Sequence, residues 1–214
     1  MSLRLKIIIG STREGRAADL VAPWVEARAR ENGTFDVETL DLRDWALPIF
    51  QETAATLGDP ANPTYSDPVV KAWNAKVREG DAFIFITPEY NYAISGVLKN
   101  AIDSVYSSQA FRNKVVLPVS YSGGPFGGAR AVLSLAPIAL EIELHQLRNA
   151  VQIGGVRGVF VDGVPNNPTT EAALSVGLED LAWWGEMLRN ARESGQLMPG
   201  SPRLQAKVRA ATGG

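Results

Sequence analysis

The chain has 214 residues, 45% of them hydrophobic and 21% charged, with a formal net charge of −2 and no cysteine. A length of this order fits one domain with a sizeable core, and charge of both signs in near balance gives no general pull towards nucleic acid or anionic lipid. Disulfides, thiolate catalysis and thiolate metal sites are excluded, and no apolar run approaches the ~20 residues that span a bilayer, so a cytoplasmic protein with no membrane and no nucleic-acid partner is expected.

Residues 3–9 are an apolar run of strand length, and 17–30 carry Leu20, Val21, Trp24, Val25 and Ala29 roughly on one helical face. Between them lies Gly10-Ser11-Thr12-Arg13-Glu14-Gly15-Arg16, a strand-to-helix turn rich in hydroxyls and guanidinium groups. The free N–H groups of the helix's first turn would point at an anion in this loop. Arginines at a helix N-terminus oppose the macrodipole unless such an anion is present. Gly15 is followed by Arg16 and Ala17 rather than Lys and Ser or Thr, and only two glycines are present, so neither the nucleotide-triphosphate loop nor the dinucleotide fingerprint fits. A terminal monophosphate does, with a solvated turn bearing surface arginines as the bland alternative.

Further along, 35–42 reads as a second strand, 44–67 as a long loop with Pro48, Pro60 and Pro63, and 69–78 as a short helix. The apolar run 82–87 suits a strand buried on both faces of a parallel sheet. Helix is expected over 95–107, strand over 114–121, helix over 129–144, and a fifth strand over 147–153. A proline- and asparagine-rich turn follows at 163–170, then a closing helix at 171–192. Strand and helix alternate throughout, which implies an α/β fold with a parallel, doubly wound sheet. Residues 1–193 form the expected domain. Residues 194–214 carry Arg203, Lys207 and Arg209 with no acid, which suits a loose tail or an arm across a partner.

In such sheets ligands bind outside the carboxyl ends of the strands. Two further loops belong there. Pro88-Glu89-Tyr90-Asn91-Tyr92 offers rings to line a flat ligand and an amide for a heteroaromatic edge. Ser122-Gly123-Gly124-Pro125-Phe126-Gly127-Gly128 would let the main chain come close to that ligand. A planar cofactor with one phosphate fits all three loops.

These motifs resemble those of the NADPH-dependent FMN reductase family of flavodoxin-like proteins, which includes quinone, chromate and azo-dye reductases. The 10–16 loop is similar to the family's phosphate loop, and 87–91 with Gly96-Val97-Leu98-Lys99-Asn100-Ala101-Ile102-Asp103 resembles its isoalloxazine-binding segment. Residues 41–48 resemble the family's second strand and the loop after it. The resemblance implies a flavodoxin-like five-stranded sheet of order 2-1-3-4-5, FMN as cofactor with NAD(P)H as co-substrate, and a homodimer or homotetramer. A serine often stands where this chain has Arg16, and a proline where it has Ser95. Carried over residue by residue, Ser11, Thr12, Arg13 and Arg16 are assigned to the FMN phosphate. Pro88, Glu89, Tyr90 and Asn91 are assigned to the isoalloxazine and ribityl mainly through main-chain contacts, and Ser122, Gly123 and Gly124 to the flavin's other side. Tyr92 and Phe126 would wall the nicotinamide or acceptor site.

Hydride transfer from nicotinamide to flavin needs stacking and distance rather than a protein acid, so no catalytic residue is required. Glu89 serves equally well as a helix cap or a subunit contact. His145, the only histidine, lacks a second histidine beside it for a metal, and Trp24, Trp183 and Trp184 suit core or subunit contacts. The expected activity is reduction of bound FMN by NAD(P)H, then of a quinone, flavin or other electrophile. The alternatives are a flavodoxin-like electron carrier and a binding module without turnover.

Overall fold

The computed structural model describes residues 2–195 and 198–212. Of the expected tail, residues 196, 197, 213 and 214 lie outside the described residues. In chain order the first half runs β1 (Leu3–Ile9), α1 (Ala18–Glu31), β2 (Phe35–Asp41), α2 (Ala54–Leu57), α3 (Pro68–Glu79), β3 (Ala82–Pro88) and α4 (Gly96–Asp103). The second half runs β4 (Lys114–Tyr121), α5 (Ala129–Glu141), β5 (Leu144–Gln146), β6 (Val151–Ile153), α6 (Val156–Val159), β7 (Phe160–Val161), β8 (Val164–Pro165), α7 (Pro168–Glu193) and α8 (Gly200–Thr212).

The sheet has the order β2-β1-β3-β4-β5, with β6 also on β4, and all these pairs are parallel. Every residue of β3 and β4 is buried, as central parallel strands covered by helices on both faces require. Successive side chains point to opposite faces. In β4, Val115, Leu117, Val119 and Tyr121 join the layer packed by α1 and α7, while Val116 joins the layer packed by α3, α4 and α5.

The expected fifth strand over 147–153 is in fact two short pieces. Strand pairing begins earlier, at Leu144, which the sequence reading had placed in the preceding helix. It stops where Leu147 donates to Val116 O and Ala150 turns back to Arg148 O, then resumes at Val151. The helix expected over 95–107 ends at Asp103 and gives way to turns. The closing helix starts three residues earlier than expected, because Asn167 caps it and Pro168 occupies the first turn, where a missing N–H costs nothing. Within the expected 163–170 turn, Val164 and Pro165 pair with Phe160 and Val161 around Asp162-Gly163, both at positive φ. That is the Asp-Gly signal of a two-residue hairpin. Residues 200–212 of the tail are helical, with no buried residue.

Candidate functional site

The chain adds β2 on one side of β1 and then crosses to add β3 on the other, so the strand order reverses between β1 and β3. At that crevice, beyond the carboxyl ends of the strands, lie the 10–17, 88–95 and 122–128 loops.

The first loop is held from below and from outside. Gly10 sits where an added Cβ would come within 3.1 Å of both Ile86 O and the Leu98 side chain, and its N–H donates to Ile86 O at 2.8 Å. Ser95, which caps α4 through the Leu98 N–H, also donates its hydroxyl to Gly10 O. Arg43 donates to Arg13 O, and Arg157 to Gly15 O at 2.5 Å. With those carbonyls held, the N–H groups of Thr12, Arg13, Glu14 and Gly15 find no acceptor among the described residues. Consecutive unpaired N–H groups entering a helix make a seat for an oxyanion.

Arg16 does not belong to that seat as the sequence reading supposed. Its guanidinium is buried and points down. Nε donates to Asp19 Oδ1 at 2.7 Å, one terminal nitrogen to Ser11 O and to Asp41 Oδ1 at 2.6 Å, and the other to Asp41 Oδ2. Four of its roughly five donors are thereby committed. The bond to Asp41 holds the Arg16 proton more tightly than usual despite burial. Burial raises the Asp41 carboxyl, but the Arg16 bond and the Arg43 N–H outweigh it and leave it below its ordinary value. Arg16 therefore ties the loop to the end of β2, which stands beside β1 in register.

Arg13 is exposed, its guanidinium 3.5 Å above the Tyr90 ring. The Tyr90 and Ser11 hydroxyls are 2.9 Å apart and share a hydrogen bond. A third hydroxyl belongs to the group and was missed from sequence. Tyr121, the last residue of β4, is buried, and its phenol oxygen has no hydrogen-bond partner within 3.5 Å among the described residues. Burial, reinforced by Tyr90 and only partly opposed by the nearby Ser11 hydroxyl and Arg16, pushes this phenol up, so it stays protonated and available to donate. Only the position of Tyr121 at the end of a core strand could have flagged it.

The second loop makes a tight turn. Tyr90 and Ala93 exchange both backbone hydrogen bonds, at 3.0 and 3.1 Å, around Asn91 and Tyr92 at φ 51° and 69°. Two central residues at positive φ mark the primed hairpin turn, which presents both side chains to solvent. The main-chain role expected for this loop is narrower than supposed, because the Glu89 N–H donates to Tyr121 O and the Tyr90 N–H to Ala93 O. Glu89 is a helix cap: its carboxylate accepts from the Arg130 N–H in the first turn of α5 and from the Arg130 side chain. Arg130 in turn lies 4.0 Å from the Tyr92 ring centre and 5.2 Å from that of Phe126. The two aromatics assigned to a substrate wall thus share one cation, and both are exposed.

In the third loop the Ser122 N–H is taken by Ile153 O and the Ser122 hydroxyl by Gly124 O, leaving Gly123 to Phe126 as the exposed members. Gly127 and Gly128 serve the fold instead. Gly128 has φ +83°, and a Cβ there would sit 2.8 Å from Ser120 Cβ. An adjoining apolar pocket of about 170 Å³ opens beside Thr12, lined by Trp45, Leu47, Ile49 and Val97. Asn100 holds its rim by bonding Pro48 O and the Phe50 N–H. His145 stacks against Trp184 with ring centres 4.2 Å apart, away from these loops. Trp24 is buried and donates to Glu171, whereas Trp183 is exposed.

An oxyanion seat and buried hydroxyls at the switch point of a 2-1-3-4-5 sheet define a flavodoxin-like protein with a site suited to a flavin mononucleotide. The NADPH-dependent FMN reductase family model matches residues 3–157, and the chain belongs to that family. It is 30% identical to an NAD(P)H-dependent FMN reductase of Schizosaccharomyces pombe over 174 residues, covering 81% of this chain and 84% of the relative. It is 32% identical to a quinone reductase of Pseudomonas putida over 148 residues, covering 67% and 75%. Among solved structures, the flavoenzyme NAD(P)H:(acceptor) oxidoreductase FerB of Paracoccus denitrificans superposes with a TM-score of 0.70 at 20% identity, covering 86% of this chain and 98% of that one. The chain is accordingly an NAD(P)H-dependent oxidoreductase with FMN as its cofactor. No described helix is long and apolar enough to cross a membrane.

Proposed function

We propose that residues 1–193 form a reductase domain that seats the FMN phosphate in the 11–15 loop. The flavin ring lies between the 88–92 turn and Gly123-Gly124, and reducing equivalents pass from NAD(P)H to a quinone, a flavin or another electrophile. The observation that carries this reading is the row of unclaimed N–H groups from Thr12 to Gly15 beside the unpartnered Tyr121 hydroxyl. FMN supplies the hydride chemistry when bound. Ser11, Thr12 and the loop N–H groups donate to phosphate oxygens, and Arg13 swings from the Tyr90 ring to grip two of them. Arg16 holds the loop's shape through Asp41 and does not touch the phosphate. Glu89 and Arg130 hold the Tyr92 and Phe126 wall against which nicotinamide and acceptor stack in turn. The exposed Ile49, Tyr92 and Phe126 at this edge favour a homodimer or homotetramer that covers the flavin, and a cytoplasmic setting is the default for a chain with no described membrane-spanning helix.

The test is FMN titration into purified protein, followed by anaerobic mixing with NADPH or NADH and an acceptor screen. The expected result is a bound flavin that bleaches within the turnover time and is reoxidised by quinones. Failure to bind FMN, or a bound flavin that neither nicotinamide bleaches, would overturn the reading. The electron-carrier alternative requires the second outcome, and membership of a reductase family does not favour it.

A further inference from the structure

A second concentration of polar chemistry lies at the opposite edge of the sheet, where β4 begins. A cavity of about 560 Å³ there is lined by Arg78, Arg112, Lys114 and Arg192, from the end of α3, the start of β4 and the end of α7. Among the described residues Asp59 is the one acid in its wall. Pro60, Met198 and Pro199 give it an apolar side.

The charges in this basin do not balance. Asp81 is shared between Arg192, at 2.7 Å, and Arg4, at 3.3 Å, and Glu143 holds Arg112 at 2.7 Å. Asp59 accepts from the Ala61 N–H of its own turn. Arg78 and Lys114 have no carboxylate partner within 4 Å among the described residues. Arg78 bonds Pro60 O and Ser108 O, and Lys114 bonds Val77 O and Arg78 O, both at 2.9 Å. The last carbonyls of α3 thus occupy two of the ammonium protons, and the third has no acceptor among the described residues. Only 6% of Lys114 is exposed. Here a buried amine stands among three arginines with only the shared Asp81 charge near it, and an anion entering the cavity would favour its charged form.

We propose that this basin binds the phosphate or sulfate group of a small organic molecule, with Lys114 and Arg78 as its principal ligands and Pro60, Met198 and Pro199 packing its apolar body. The cavity is far larger than the ~30 Å³ that one water occupies in the liquid, so an anionic head group with a body attached fills it better than a lone ion. Burial and the neighbouring Arg192, with Arg4 and Arg78 adding to them and Asp81 opposing, lower the Lys114 amine to about 7. An arriving dianion restores its proton, so binding takes up protons near neutrality. This site does not depend on the flavin reading.

The test is calorimetric titration with sulfate, whose charge stays constant between about pH 6 and 9, and with phenyl phosphate. The wild type is compared with Lys114→Met, Arg78→Gln and Arg13→Ala. The expected result is binding that tightens from pH 8.5 to pH 6, with proton uptake read from buffers of different ionisation enthalpy. The basin event should weaken at least about tenfold in Lys114→Met and about threefold in Arg78→Gln, with phenyl phosphate tighter than sulfate, while Arg13→Ala removes only the separate event at the 11–15 loop. Events that all survive both basin substitutions, binding lost entirely in Arg13→Ala, or no binding at millimolar concentration would each overturn the proposal. Should Lys114→Met fail to fold, Arg78→Gln and the proton uptake decide it.

Discussion

The two edges of the sheet treat buried cations in opposite ways. At the carboxyl edge Arg16 is locked by Asp41 and Asp19, so its charge is neutralised and its function is to shape the loop whose N–H groups remain open. At the amino edge Lys114 is just as buried, yet it meets two carbonyl oxygens and the face of the Phe83 ring rather than a carboxylate bonded to it. A satisfied buried cation acts as scaffold, whereas an unsatisfied one points to something not yet bound. The contrast can be broken or sharpened at four positions.

The largest effect is expected at Arg16. Arg16→Ala strands the Asp41 carboxylate and frees the loop, and about 3 kcal/mol of stability should be lost in urea unfolding, together with FMN affinity. A smaller loss of affinity with full stability would mean that Arg16 contacts phosphate directly. Next comes Gly128→Ala, where positive φ and the 2.8 Å approach to Ser120 act together, for about 2 kcal/mol of destabilisation without any change in charge.

Third is the pH dependence of the Lys114 edge. Its amine stands at about 7 in the folded chain against an ordinary 10.5, so between those values the unfolded chain binds more protons and this group makes stability rise with pH. In Lys114→Met that rising component should vanish from the pH profile of the denaturation midpoint. An unchanged profile would show that the folded amine titrates normally. The smallest effect belongs to Tyr121→Phe. Removing an unpaired buried hydroxyl should leave the apo protein as stable or slightly more so, while FMN dissociation rises about fivefold if the phenol donates to the cofactor. Fluorescence titration beside thermal unfolding separates the two, and a fall in apo stability would refute the orphaned state of the phenol.

Much of this arrangement was legible from sequence because periodicity reports burial directly. The fully apolar 82–87 run and the loops after each core strand pointed to a parallel sheet and its crevice, while the strand order came from the family resemblance. Pairings between distant residues were not legible. Arg16 meets Asp41 only because β2 lies in register on β1, and Glu89 caps α5 only because β3 and β4 end level with each other. Once the 2-1-3-4 order is granted, Asp41 beside Ile9 could have been paired with Arg16 by inspection. The break at 147–150 was harder, since apolar content there does not reveal where a strand turns aside. The Asp162-Gly163 hairpin carried a readable signal that was passed over for the prolines and asparagines around it.

Lys114 and Tyr121, the two unsatisfied polar ends, belong to the same strand and face opposite layers. One alignment of β4 against β3, Ala82 beside Val115 through Pro88 beside Tyr121, therefore sets both. A slip of one residue would turn the phenol towards α4 and the ammonium towards α7, emptying both ends at once. Folding errors in this strand are thus all-or-none for the molecule's chemistry, and a misregistered chain could not survive as a half-functional species.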